Sequence, residues 1–211
     1  MQEAKYPGYP RLEADFFRRE EVVTIARQLL GMYLLTRFQG QICVGKIVET
    51  EAYRGRDDKA CHAHLMRRTK RTKTMFLPGG TAYIYLCYGI HHLFNVVTGP
   101  EGVPDAVLIR AVEPVYNLDA MLHRRGMEQV KPQLTAGPGV MTKAMGITTD
   151  YDGQDLLDER SPIRLEDPGD EIPERKVASG PRIGIDYAEE CAAWPWRFYL
   201  PDNKWVSRKG R

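Results

Sequence analysis

Several features are missing from this 211-residue chain. No apolar run approaches the ~18 residues needed to cross a bilayer, so a membrane-spanning helix is not expected. The amino-terminal stretch M-Q-E-A-K-Y-P-G-Y-P lacks the charged-then-apolar order of a secretory signal. The four cysteines, Cys43, Cys61, Cys87 and Cys191, are scattered and form no C-x-x-C pair, which argues against a disulfide framework or a zinc knuckle. Internal repeats, low-complexity tracts and an evident linker are also absent. Charge of one sign is scarce, since 30 basic against 28 acidic residues leave a formal net charge of only +2. The expectation is a soluble, cytoplasmic protein without a membrane partner.

What is present suits one globular domain spanning residues 1–211. The hydrophobic share of 43% and the charged share of 27% are ordinary for a soluble domain, and the length suffices for a real core. In F-F-R-R-E-E-V-V-T-I-A-R-Q-L-L-G the apolar residues Val22, Val23, Ala26, Leu29 and Leu30 recur at helical spacing, with Gly31 as a stop. Met32–Phe38 and Ile42–Tyr53 read as strands joined at Gln39–Gly40. A polar, basic loop runs to about Thr74. Residues 81–98 read as two strands with a reversal near Tyr88-Gly89. Another strand is expected over 106–112, short helices over 118–125 and 138–145, loop over 160–182, and a last strand over 196–200. Without strict βαβ alternation, the expected class is α+β: a mostly antiparallel, curved sheet flanked by helices, with one protruding β-hairpin.

The stretch I-V-E-T-E-A-Y, residues 47–53, is unusual for a strand. Alternation sends Glu49, Glu51 and Tyr53 to one face. Two carboxylates so placed repel each other, which costs sheet stability and raises the pKa of one of them. Facing a cleft, such a carboxylate can act as a general base on water; facing solvent, the pair is simply two hydrated charges. Tyr83 and Tyr85 share a strand face, a position tyrosine fills routinely. C-H-A-H brings His62 and His64 close, but no third ligand follows at short spacing, so no metal is expected. Tyr88 would sit at a hairpin tip, where turns favour small polar residues. It either packs back on a neighbour or serves as a wedge between base pairs. Five of the seven residues 67–73 (R-R-T-K-R-T-K) are basic, which makes either a solvated loop or a phosphate-contacting patch from Arg67, Arg68, Lys70, Arg71 and Lys73. Together these features describe a site that extrudes a nucleic-acid base.

Longer motifs extend this reading. K-I-V-E-T-E-A-Y-R-G, the histidine at 62, M-F-L-P-G-G-T-A-Y-I-Y-L-C-Y-G-I, Asn95 in H-L-F-N-V, and V-L-I-R-A-V-E-P resemble the alkyladenine (3-methyladenine) DNA glycosylase family. A-G-P-G at 136–139, P-R-I-G-I at 181–185 and W-R-F-Y at 196–199 continue the resemblance, which covers residues 14–207. It implies a base-excision enzyme that flips alkylated or deaminated purines from double-stranded DNA, works as a monomer and needs no cofactor.

By the same resemblance, Glu51 is the general base and Arg110 helps hold its water. Tyr53, His62 and Tyr85 sandwich and hydrogen-bond the flipped base. Asn95 excludes the 2-amino group of guanine, and Tyr88 intercalates. Glu49 has no catalytic counterpart and is expected to order its neighbours. No catalytic lysine stands out, so an abasic site is left without strand cleavage. Val140 stands where the family often carries lysine, which removes one expected basic contact. The lack of a long amino-terminal extension suggests a minimal, bacterial member. Two other classes compete: a non-catalytic binder of distorted duplex DNA, and a metal-dependent hydrolase built on His62 and His64.

Overall fold

A computed structural model describes residues 6–207; the first five residues of the amino-terminal stretch quoted above lie outside the described residues. Two short helices open the chain, α1 (Ala14–Phe17) and α2 (Val22–Gln28). The single helix expected there breaks at residues 18–21, and α2 buries Val22, Ile25 and Ala26. Strands β1 (Tyr33–Phe38) and β2 (Gln41–Tyr53) follow as a hairpin whose turn is Gln39–Gly40. After the basic loop come β3 (Ala82–Cys87), β4 (His91–Thr98) and β5 (Asp105–Tyr116).

Helices α3 (Leu118–Arg125) and α4 (Pro138–Met145) fall where the sequence puts them because their ends are marked chemically. The Asn117 side chain caps α3 by accepting from the Ala120 N–H, and Gly126 closes it in the left-handed region. Proline opens α4 and Gly146 closes it in the same way. The stretch 160–182, expected as loop, holds two short strands, β6 (Ile163–Glu166) and β7 (Ala178–Gly180). Their proline-rich and acidic flanks hide them, and each forms because an open sheet edge needs a partner. β6 pairs with β1, and β7 with β8 (Arg197–Tyr199).

All pairings are antiparallel. The strand order is β3-β4-β5-β2-β1-β6, with β8 beside the second half of β2. β2 is therefore the spine: β5 runs along one side, while β1 and then β8 cover the other. Helix α2 packs on β2 and β5, and α4 on β4 and β5. Phe17, Ile25, Leu29, Leu34, Ile47, Phe94, Ile109, Met121, Leu134 and Met141 are fully buried in one apolar cluster. Each such side chain stabilises the fold by roughly 1.5–3 kcal/mol relative to exposure. This is the α+β architecture expected, in one domain and with the hairpin protruding. None of the described helices is long and apolar enough to cross a membrane.

Candidate active site

The β2–β5 ladder is broken beside the two glutamates. Val48 is skipped between Ile47↔Val112 and Glu49↔Ala111, and Arg110 is skipped before Thr50↔Ile109. Successive bulges, one on each strand, bend the pair and re-aim side chains locally. Arg110 leaves the ladder and reaches both glutamates: its Nε donates to Glu49 Oε1 at 2.9 Å, and its Nη1 lies 3.1 Å from Glu51 Oε2.

Both glutamates are completely buried, so neither is a solvated surface charge. Their environments differ. Glu49 also accepts from Arg197 Nε at 2.7 Å and from the N–H and Oγ of Ser207 at 2.7 and 2.9 Å. Burial pushes its carboxyl up, but Arg110, Arg197 and Ser207 outweigh burial and hold it below the ordinary 4.5. The expectation that repulsion between the carboxylates governs them is thus corrected at Glu49, where two guanidiniums dominate. Glu51 has only one guanidinium among its partners, which are Arg110, the Tyr53 hydroxyl, which donates to Oε2 at 2.8 Å, and the Ile183 N–H, which donates to Oε1 at 2.7 Å.

Those partners of Glu51 (Tyr53, Arg110 and Ile183) all line a cavity of about 500 Å³. Its walls are aromatic because β2 and β3 present tyrosines at alternate positions. Tyr53 has the Arg182 guanidinium 4.7 Å from its ring centre, fixed in turn by Asp58, whose Oδ1 accepts from Arg182 Nη2 at 2.8 Å. Elsewhere in the lining, Tyr83 and Tyr85 lie 5.5 Å apart, and the His62 ring meets Tyr85 edge-on at 4.6 Å.

The His62 tautomer follows from its partners. Arg71 Nη2 lies 3.2 Å from Nε2, and arginine can only donate, so Nε2 accepts. Nδ1 then carries the hydrogen and donates to the Tyr83 hydroxyl at 2.9 Å. Burial and the neighbouring Arg71 push the His62 pKa down to about 4, which keeps the ring neutral at pH 7. Burial raises the Tyr83 hydroxyl to about 12, and raises Tyr53 and Tyr85 as well. The cavity thus offers neutral rings and fixed hydrogen-bonding groups. With both His62 nitrogens engaged, the pairing with His64 gains no support, and among the described residues no three His, Cys, Asp or Glu side chains cluster suitably for a metal ion.

Asn95 is 4% exposed, and its amide nitrogen donates to the Tyr83 and Leu93 carbonyls at 3.1 and 3.4 Å. Pinned this way, it cannot swing clear of the cavity it lines. Tyr88 does not pack back: it is 92% exposed, with φ of 53° followed by 73° at Gly89. These left-handed angles make the tight turn, closed by the Ile90 N–H donating to the Cys87 carbonyl at 3.2 Å. An aromatic held there is uncommon for a non-glycine residue.

All five basic residues of the run are exposed. The Arg68 guanidinium lies 5.3 Å from the Phe76 ring centre, and that of Arg71 lies 5.1 Å from the Tyr85 ring centre and contributes to the cavity lining. Val140 lines a separate groove of about 1200 Å³ with Arg37, Arg124, Arg125 and Lys143. Sequence reasoning gave no role to the Ile183 N–H, Arg182, Tyr187, Arg197 or Ser207. The motifs P-R-I-G-I and W-R-F-Y contain three of these residues and were the available signal.

Fold and site together define a single-domain α+β protein with a shielded carboxylate, Glu51, behind an aromatic cavity. The chain belongs to the methylpurine-DNA glycosylase family, whose model matches residues 15–204. A curated relative from Chlamydia pneumoniae is 48% identical over 194 residues, covering 90% of this chain and 94% of its own. Relatives from Bacillus cytotoxicus and Natranaerobius thermophilus are 43% and 41% identical, covering 91% and 93% of this chain and 97% and 98% of theirs. All three carry the name "Putative 3-methyladenine DNA glycosylase".

Proposed function

We propose that this protein extrudes alkylated or deaminated purines (3-methyladenine, 7-methylguanine, hypoxanthine and etheno-adenine) from duplex DNA and hydrolyses their N-glycosidic bond. The observation that carries this reading is the placement of Glu51. Its carboxylate is shielded from bulk water, yet its three partners are part of the wall of a cavity of about 500 Å³, large enough to admit a purine.

In this mechanism the extruded base enters between Tyr53 and the His62–Tyr85 wall, and its sugar C1′ comes to rest above Glu51. Oε1 has one strong partner, the Ile183 N–H, and a carboxylate oxygen can accept a second bond. A water hydrogen bonds there. As the C1′–N bond lengthens, the sugar gains oxocarbenium character, and the nearby carboxylate stabilises that charge. The water oxygen then bonds to C1′, its proton passes to Glu51, and the bonding electrons leave with the base. A purine alkylated at N3 or N7 starts cationic and departs neutral, so it needs no proton. Neutral hypoxanthine and etheno-adenine depart as anions and regain neutrality by taking up one proton, equal to the one released from the attacking water. Arg110 orients Glu51 through its Nη1 contact, and Asn95 excludes an added 2-amino group by being immobile. The backbone-contacting role of Arg67, Arg68, Lys70 and Lys73 belongs to the same reading, as does a monomer that leaves the strand uncut at the abasic site.

The test is base release from a panel of lesion-bearing duplexes in the presence of chelator, read by alkaline cleavage at abasic sites. Release by the wild type and none by Glu51→Gln, with duplex binding retained, is the expected pattern. Binding without release from any lesion would instead favour the non-catalytic duplex binder.

A further inference from the structure

Two consecutive residues in the basic loop adopt a backbone that neither favours. Leu65 has φ of 56° and Met66 of 59°, both left-handed, a region that bulky residues rarely enter. They are held there by the Met66 N–H donating to the Gly55 carbonyl at 3.1 Å and the Arg67 N–H donating to the Ala63 carbonyl at 3.1 Å. The strain is not offset by core packing, because Leu65 is 72% and Met66 41% exposed and neither joins an apolar cluster. A fold maintains such a conformation where exposing the side chains serves something else.

The surroundings indicate what that is. Arg67 and Arg68 follow directly, Lys70 and Lys73 lie within the same loop, and all four are exposed without an ion pair among the described residues. His62 and Arg71, on either side of the pair in sequence, both line the cavity. The hairpin tip, where Leu86 and Tyr88 are exposed and line the cavity, likewise presents apolar side chains at a left-handed turn. Apolar wedges beside basic residues are how proteins lie in the minor groove and unstack base steps.

We propose that Leu65–Met66 is a second duplex-contacting tip, which presses on sugars and base edges beside the extruded nucleotide while Arg67 and Arg68 engage phosphates. The proposal rests on the base-extrusion reading for its partner, duplex DNA.

The experiment compares wild type with Leu65→Gly/Met66→Gly and with Leu65→Asn/Met66→Asn. Both pairs tolerate left-handed backbone and remove the apolar surface. Melting temperature is measured first, then affinity for a duplex carrying a stable abasic-site analogue, across a salt series. That ligand needs no base release, so its result is independent of whether the glycosylase chemistry is right. The expected result is a melting temperature no lower than wild type and an affinity loss of about tenfold, with an unchanged salt slope because no phosphate contact is removed. Wild-type affinity in either folded variant overturns the proposal, as does a loss that appears only as a reduced salt slope.

Discussion

Glu49→Gln and Glu51→Gln remove the same charge two residues apart, yet the structure gives them opposite consequences. Glu49, Glu51, Arg110 and Arg197 form a buried group with no net charge, in which Glu49 bonds both guanidiniums and Glu51 touches only Arg110. Neutralising Glu49 removes the charge that Arg197 Nε bonds at 2.7 Å and leaves Arg110 with one carboxylate instead of two. Breaking a buried pair from one side costs about 3–5 kcal/mol, which for a chain of this size lowers the melting temperature by about 6–20 °C. Neutralising Glu51 leaves Arg110 on Glu49, and the glutamine oxygen can still accept from the Ile183 N–H. About 1–2 kcal/mol, or about 2–8 °C, is expected from the weakened Arg110 and Tyr53 bonds. Thermal melts and base release at a temperature where both variants are folded separate the two roles. Glu49→Gln should lose stability first and keep measurable turnover, whereas Glu51→Gln should keep most of its stability and lose turnover. If Glu51→Gln melts as low as Glu49→Gln and still releases base, then Glu51 is a structural ion-pair partner and the mechanism is wrong.

The acid limb is a further test. His62 falls to about 4 in the fold from an ordinary 6.5, so the unfolded chain binds its proton first. Its contribution to stability is complete above pH 6.5 and is lost as pH falls from there towards 4. Glu49, also depressed, loses its contribution only as pH falls below 4.5. His62→Gln should flatten the upper part of this decline in urea melts; an unchanged profile would show the ring to be solvated. Tyr88→Ser should leave the melting temperature unchanged, because the side chain is 92% exposed, while weakening binding to lesion duplexes; unaltered excision kinetics would reduce Tyr88 to surface decoration. Arg67→Ala/Arg68→Ala should lower the salt slope of DNA binding by about one unit per lost phosphate contact, and an unchanged slope would return that segment to solvent. Asn95→Ala should raise release of normal guanine relative to hypoxanthine, and an unchanged ratio would place purine selection elsewhere.

The sequence revealed elements wherever a local signal marks them. Asn117, Gly126, Pro138 and Gly146 delimit α3 and α4 by backbone chemistry alone, and Tyr88-Gly89 marks the hairpin reversal. β6 and β7 carry no such mark, since their only reason to be strands is the neighbouring sheet edge. The same division holds in the cavity. Tyr53, Tyr83 and Tyr85 were visible by alternation, but strict alternation cannot foresee two bulges, and it is in one of them that Arg110 meets both glutamates. Nor could it show that Glu51 receives its remaining hydrogen bond from the backbone of residue 183, 132 positions away. Motif resemblance singled out Glu51 and Arg110 without giving the physical contact that joins them, the 3.1 Å ion pair.

Tyrosine faces attract a cation through the ring quadrupole, so an aromatic cavity could in principle select alkylated purines by their charge. Both relevant rings already have a cation nearby: Arg182 sits 4.7 Å from the centre of Tyr53, and Arg71 5.1 Å from that of Tyr85. A second cation meets a ring whose density is already drawn towards a guanidinium, and that guanidinium repels it. The neutral His62 and protonated tyrosines add no compensating negative charge. The remaining carboxylate, Glu51, faces the sugar side in the proposed pose and is shared with Arg110. Positive charge on the base therefore gains little while the base rests in the cavity. It helps when the glycosidic bond breaks, because a cationic purine leaves as a neutral molecule. Neutral hypoxanthine and cationic 7-methylguanine should then be held with similar affinity in the Glu51→Gln protein and differ in the wild type mainly in release rate. A large affinity gap between the two duplexes in that variant would restore charge recognition by the rings.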